Sequence, residues 1–495
     1  MRRTYSYIAL TVSLAFAPAV QGQAAREDSI VATHHQVQIG GKTLAYTAKA
    51  GLIPIRDNET GDVHANMFFI AYTLDRAAGS PPRPLTFLWN GGPGSNSGLV
   101  HLLGFGPKRI AAAAGPSPSG TKIVDNQDTW LTFSDLVFID PIGTGYSRPT
   151  KPEYAAAFYQ SRGDAESVAE FIRVYRLRTE AYDAPLYLAG ESYGVTRCAL
   201  VAEALERRRT TLTGVVMISG GFPLADIGPG QRNALGLPTL TAAAWYNKKL
   251  PADLQGKDLE AVLRAAEAYA RGEYTAALAK GEGLGAAERD AVVAQLARFT
   301  GIAASQIDRA KLQVPMEQFS VALLADKNLM VGRYDSRVIG PRDPAPQYDP
   351  TTDPSLKDIL DNVSLIRYLR NELGYQSDLF YQGPFGGGYP PATAFRGDWM
   401  SVRWNRSGQQ PSPGDAFRSA MKMNPRLRVM VVSGIYDLVS GYFAIEQAAA
   451  QLPPDPGKRV VVRTYPGGHA IYTDDTVRHQ FRLDAARFFA EGAQQ

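Results

Sequence analysis

A chain of 495 residues has room for roughly three average domains or one large elaborated one. Its 45% hydrophobic and 20% charged residues are the composition of a folded protein, and 47 glycines and 33 prolines scattered without a three-residue period exclude a collagen-like fibre. Lys and Arg number 52 against 48 Asp and Glu, a net +4. The dense basic run Arg207-Arg208-Arg209 closes a predicted helix, where cations meet the negative end of the dipole, so no nucleic-acid partner is expected.

Residues 1–24 combine Arg2-Arg3, an apolar stretch from Ile8 to Val20 broken by Pro18, and small residues at Gly22 and Ala24. This is the pattern of a signal peptide, and the stretch falls short of the ~20 apolar residues that span a bilayer. It predicts an exported protein, periplasmic or secreted, without stable membrane insertion. Cys198 is the single cysteine, so no disulfide can form within the chain and stability must come from core burial. Such low cysteine usage in an exported chain points to a bacterial periplasm or exterior.

Val31 to Leu74 alternates and is rich in Val, Ile, Tyr, Phe and Thr, which predicts antiparallel strands. Short runs apolar at nearly every position follow: Leu85 to Trp89, Leu136 to Ile139, Leu186 to Ala189, Val215 to Ile218, Val429 to Val432 and Val460 to Val462. Strands apolar on both faces belong inside a parallel sheet covered by helices. Helical patterns from Asp164 to Arg178, Tyr193 to Arg208 and Asp474 to Phe489 supply that cover. Between Phe222 and about Met400 the alternation stops, and Ala-rich charged stretches (Leu259 to Ala279, Ala286 to Phe299) predict helices. The expected architecture is an α/β sandwich with a mixed, mostly parallel central sheet, built from residues 25–222 and 401–495 and interrupted by a mainly helical cap at 223–400. Gly383 to Pro391 reads as a punctuated loop rather than a phosphate cradle, because no strand leads into it and no Lys-Ser/Thr follows.

Gly190-Glu191-Ser192-Tyr193-Gly194 is a G-x-S-x-G match lying between a predicted strand and a predicted helix, the context that lifts a serine hydroxyl onto an exposed elbow. A serine needs a base to become a useful nucleophile at neutral pH. In the chain order of such enzymes the acid and then the histidine follow the serine, which leaves His469 and His479 of the six histidines. His469 sits on a Pro466-Gly467-Gly468 loop beyond a strand, whereas His479 falls inside the terminal helix pattern as a surface or packed residue, so His469 is preferred. Asp437 lies just past the strand Val429 to Val432 and is preferred as the orienting acid, with capping of a following helix as its competing role. Asp415 precedes that strand. Asn90-Gly91-Gly92-Pro93-Gly94 follows another strand; its amides, with that of Tyr193, are placed to form a two-donor oxyanion hole. His34-His35 lacks partners at ligand spacing, so no metal site and no cofactor are expected.

Four ordered segments, Trp89-Asn90-Gly91-Gly92-Pro93-Gly94, Asp140-Pro141-Ile142-Gly143-Thr144-Gly145-Tyr146-Ser147, Gly190-Glu191-Ser192-Tyr193-Gly194 and Gly468-His469, together make the chain resemble the serine carboxypeptidase family. The resemblance implies an α/β-hydrolase fold with a helical cap, a Ser192–His469–Asp437 triad, and an oxyanion hole from the amides of Gly92 and Tyr193. It further implies that Asn90 and Glu191 bind the free C-terminal carboxylate of a peptide substrate, without a metal. Three features depart from the family. Ser95 stands where many members have a disulfide cysteine, the interval from Asp437 to His469 is short, and Gly104, just before Phe105-Gly106-Pro107, replaces the second acidic residue expected beside Glu191. Two neighbouring carboxyls keep one another protonated, and a lone Glu191 loses that help, so activity is expected either to favour acid pH or to shift toward uncharged termini. An esterase or acyltransferase on the same triad, and a catalytically silent binding protein on the same fold, are the competing readings.

Overall fold

In a computed structural model the described residues are 30–111, 122–224, 227–342, 352–356, 362–383 and 411–492. The signal-peptide pattern at 1–24, nearly all of the Gly383 to Pro391 loop and the expected boundary at 400 lie outside them.

The strands run, in chain order, β1 (Val31–Ile39), β2 (Lys42–Arg56), β3 (Val63–Leu74), β4 (Leu85–Trp89), β5 (Lys108–Ala111), β6 (Lys122–Asp125), β7 (Asp135–Ile139), β8 (Arg148–Pro149), β9 (Leu186–Glu191), β10 (Gly214–Ile218), β11 (Leu329–Val331), β12 (Ile339–Pro341), β13 (Arg428–Gly434) and β14 (Val460–Tyr465). Among the described residues, one ten-stranded sheet has the order β1-β2-β3-β7-β4-β9-β10-β13-β14, with β8 alongside β3. The β1–β2, β2–β3 and β3–β7 pairs are antiparallel, and every pair from β7 to β14 is parallel. This is the mixed, mostly parallel sheet that the apolar runs predicted, and it has the α/β-hydrolase form that the resemblance implies.

The two-residue pleat sends alternate side chains of these strands into two cores. Phe87, Val137, Leu188, Met217 and Val431 face the helices Ser161–Thr179, Tyr193–Arg207 and Pro413–Met423. Leu88, Phe138, Ala189, Val216 and Val432 face the terminal helix Asp475–Gly492 and the segment Leu99–Phe105. Cys198, fully buried against the sheet, is a small apolar filler whose thiol burial pushes well up.

The insertion between β10 and β13 has a core of its own, in which Leu235, Leu237, Val262, Leu296 and Phe319 pack with Tyr436, Tyr442 and Phe443 from beyond β13. It differs from the sequence reading in two respects. The predicted Leu259 to Ala279 helix widens to a π turn at Ala270–Tyr274 before continuing, and the insertion carries a β11–β12 hairpin. The helix Asn362–Asn371 does not join the cap core. Leu365, Tyr368 and Leu369 pack instead with the sheet's second core.

A buried ion pair crosses the first core. Arg197, 1% exposed, donates from Nε to Asp164 Oδ2 at 2.8 Å and from Nη1 to the carbonyl of Asn90 at 2.8 Å, so the helix after Ser192 is tied both to its neighbour and to the glycine loop. Breaking a buried pair strands the other charge. The Arg197→Met variant is expected to lose about 3–5 kcal/mol in urea unfolding, and Asp164→Leu combined with Arg197→Met is expected to recover much of that loss.

Candidate active site

The proposed site residues stand at the carboxyl ends of the parallel strands, where loops can carry chemistry above a rigid frame. Glu191 is the last residue of β9. Ser192 follows with φ 60° and ψ −126°, a strained conformation held by its amide's 2.9 Å bond to the Ile218 carbonyl at the end of β10. The elbow closes only because of its glycines. A Cβ on Gly190 would sit 2.7 Å from Cys198 Sγ, and one on Gly194 would sit 2.9 Å from Trp89 Cδ1. A Cβ on Gly91 would collide with the Tyr193 amide and lie 2.9 Å from that of Gly194, so the Asn90-Gly91-Gly92 loop packs directly against the proposed oxyanion donor. Gly92, at φ 102°, has a backbone that only glycine adopts readily.

Asp437 and His469 meet. His469 Nδ1 donates to Asp437 Oδ2 at 2.8 Å, and both side chains are buried. The other oxygen of Asp437 accepts from the amides of Val439 at 2.7 Å and Ser440 at 3.3 Å, which fixes the turn after β13; the helix Tyr442–Ala450 begins later, with Gly441 at its N-cap and no side-chain cap, so Asp437 does not take the competing capping role. His479, by contrast, pairs with Asp128 at the surface, and Asp415 lies in the first turn of Pro413–Met423. His34 and His35 contact Thr47 and Thr33 on the β1–β2 ribbon.

The second nitrogen of His469 is buried without a hydrogen bond among the described residues, so the bond from Ser192 Oγ is not formed here. Glu191 Oε1 lies 3.4 Å from it instead. Nucleophile–base contacts are often long before substrate arrives. Burial disfavours the imidazolium, but the carboxylates of Asp437 and Glu191 outweigh it and raise the His469 pKa to about 9. Burial also raises the Glu191 pKa, against the lowering influence of His469, of Asn90 and of the Gly91 amide.

Asn90 ties the loop to Glu191. Its Nδ2 donates to Glu191 Oε2 at 2.8 Å and to the Tyr472 hydroxyl at 3.3 Å, while its Oδ1 accepts from the Val100 amide at 3.1 Å. The Asp140 to Ser147 motif holds the far end of the same loop. Asp140 Oδ1 accepts from the Ser97 amide at 2.9 Å, and the Ser97 hydroxyl bonds the Ile139 carbonyl.

Two residues escaped the sequence reading. Tyr472, three positions after His469 and fully buried, lays its ring over Gly104, where a Cβ would stand 3.3 Å from Cδ2. The glycine noted as a departure was the available signal, but nothing local pointed to its partner. Tyr334, in the turn after β11, accepts the His469 amide at 2.6 Å and meets the imidazole edge-on at 5.2 Å. The Gly467-Gly468 loop is thereby clasped between Gly434 and the Tyr334-Asp335 turn. On the other side, partly exposed Ser192 borders a cavity of about 550 Å³.

Residues 41–220 match the family model described as serine carboxypeptidase, a stretch holding Asn90, Gly92, Glu191, Ser192 and Tyr193 but neither Asp437 nor His469. The resemblance read from the motifs is borne out. The pheromone-processing carboxypeptidase KEX1 of Yarrowia lipolytica is 30% identical over 162 residues, 32% of this chain and 25% of that protein. Its namesake in Aspergillus niger is 28% identical over 183 residues, 37% of this chain and 27% of that protein. The alignments thus span about a quarter of these relatives' length. The crystal structure of Kex1(Δ)p, a prohormone-processing carboxypeptidase from Saccharomyces cerevisiae, superposes with a TM-score of 0.56 at 15% identity, covering 90% of this chain and 91% of that one, a likeness of fold.

Proposed function

We propose that this protein is a serine carboxypeptidase that releases C-terminal residues from peptides through an acyl-enzyme. The observation that carries the proposal is the buried His469–Asp437 hydrogen bond of 2.8 Å, positioned with its free nitrogen beside the residue that precedes the strained Ser192 elbow. In this reading Ser192 Oγ attacks the last peptide carbonyl while His469 Nε2 takes its proton. Asp437 fixes the tautomer and stabilises the imidazolium. The amides of Gly92 and Tyr193 hold the oxyanion, a contribution of about 3 kcal/mol per donor. His469 then protonates the departing amine, and water resolves the ester by the same steps in reverse. Asn90 and Glu191 hold the substrate's terminal carboxylate, and the Tyr472 hydroxyl joins them. Burial, with Glu191 beside it, pushes the Tyr472 pKa far up, so the phenol remains a neutral donor where a second carboxyl would ionise. No metal or cofactor enters this scheme. The leader pattern at 1–24 supports export of the protein.

Mass-spectrometric ladder sequencing of a mixed peptide library should show residues leaving singly from the C-terminus. A phosphonate should label Ser192 and fail to label Ser192→Ala. Release from the N-terminus, or labelling that survives the substitution, would refute the proposal.

The base must be neutral to accept a proton, and its pKa near 9 in the free protein means that kcat/KM should rise with pH through that value. Removing the Glu191 charge removes one cause of the upward shift. For amide or ester substrates, which lack the carboxylate, Glu191→Gln should move the limb roughly one unit toward acid. A limb that stays in place would mean that Glu191 does not act on the imidazole.

Tyr472→Phe keeps the ring over Gly104 and removes the hydroxyl. KM for peptide acids should rise roughly five- to tenfold with kcat little changed, while peptide amides show no such change.

A further inference from the structure

The cavity beside Ser192 plays no part in the chemistry proposed above. Its walls come from one face of the helix Pro229–Tyr246, with Arg232, Gly236, Leu237 and Leu240, from Val314 to Met316, and from Val439 to Gly441. Asn90, Glu191 and His469 are not among its described lining residues, so it is separate from the proposed carboxylate-holding group while bordering Ser192. That separation has a chemical meaning. The residue that contributes the scissile carbonyl stays attached to Ser192 in the acyl-enzyme, and its side chain needs space that the leaving residue does not occupy.

Charge inside the cavity is one-sided. Among the described lining residues Arg232 alone carries a formal charge, and no carboxylate joins it. Its guanidinium is exposed, and its hydrogen bond among the described residues is a long one, 3.4 Å from Nη2 to the Ile227 carbonyl. The neighbouring Asn233 is already engaged, donating to Gln313 at 2.7 Å. A planar, permanently charged fork at a cavity of about 550 Å³, walled by polar and apolar groups together, is suited to take a carboxylate in bidentate fashion and to repel an ammonium.

We propose that this cavity receives the acyl-side residue of the substrate and that Arg232 selects an acidic side chain there, glutamate or aspartate, over neutral and basic ones. The proposal rests on the carboxypeptidase reading and specifies its substrate class.

The test uses the full-length protein and N-blocked peptides with Glu, Gln or Lys before a C-terminal alanine, each as the free acid and as the amide. The wild-type kcat/KM should fall in the order Glu, Gln, Lys, with a Glu-to-Gln ratio of roughly five- to tenfold that shrinks as salt is added. Arg232→Gln should bring that ratio close to one, and Arg232→Glu should place Lys above Glu. A wild-type ratio near one, or a ratio unchanged in Arg232→Glu, would overturn the proposal. So would a loss of acid-over-amide preference in the Arg232 variants, since Arg232 would then be reading the terminal carboxylate. Absence of release from every peptide while Ser192 still takes a phosphonate would refute the carboxypeptidase reading itself, and this specificity with it.

Discussion

His469 is buried with one ring nitrogen bonded to Asp437 at 2.8 Å and the other 3.4 Å from Glu191. The two carboxylates act on the same ring in opposed ways. Asp437 fixes which nitrogen carries the proton, and this leaves the far nitrogen as the basic one. Glu191 sits on that far nitrogen and favours its protonation, so it competes with the serine hydroxyl for the atom that the proposed reaction needs. Whatever weakens the hold of Glu191, whether its own protonation or a substrate group that takes its hydrogen bonds, releases the base. In the proposed mechanism, substrate recognition and base activation would be coupled through this single carboxylate.

This geometry depends on backbone far from the imidazole. Glu191, Ser192, Asp437 and His469 come from the ends of three parallel strands, and the β9–β10–β13–β14 register sets their spacing before any side chain is chosen. The loops beyond those ends are held by contacts that tolerate almost no added bulk. A Cβ on Gly434 would strike the carbonyls of Gly467 and Gly468, and one on Gly468 would meet the Tyr334-Asp335 turn at 2.5–2.6 Å. Arg197 adds the polar counterpart. By bonding Asp164 and the Asn90 carbonyl together, it couples the position of the proposed oxyanion loop to the helix that follows Ser192.

Much of this was legible in the residues, for identifiable reasons. Strands such as Val215 to Ile218 are apolar on both faces because both faces are covered, and that double cover leaves an unbroken apolar run in the sequence. The elbow was readable because its glycines and serine are contiguous. Asp437 and His469 were readable because each follows a strong strand through a short glycine-bearing loop. Tyr334, Tyr472 and Arg232 were not, since their positions follow from how the insertion and the loop after His469 fold back, and no local pattern encodes that. The competing roles for Asp437 also could not be separated in the sequence; the structure gives one oxygen to His469 and the other to the turn at Val439, ahead of a helix whose N-cap is Gly441.

The replacement of the second acid by Gly104 shows why a motif should be compared as a volume and not as a string. A glycine removes a carboxyl, but it also opens room for a side chain from elsewhere, and Tyr472 fills that room with its hydroxyl against Asn90. A carboxyl pair would hold its shared proton only on the acid side of its titration, whereas a phenol held far above its ordinary pKa keeps its proton throughout. The expectation that a lone Glu191 restricts the enzyme to acid pH or to uncharged termini assumed that nothing took the missing group's place. In the proposed scheme Tyr472 would offer a terminal carboxylate a neutral donor in place of the second acid, while an ionised Glu191 would still oppose that carboxylate, so the pH dependence would rest on Glu191 and its coupling to His469.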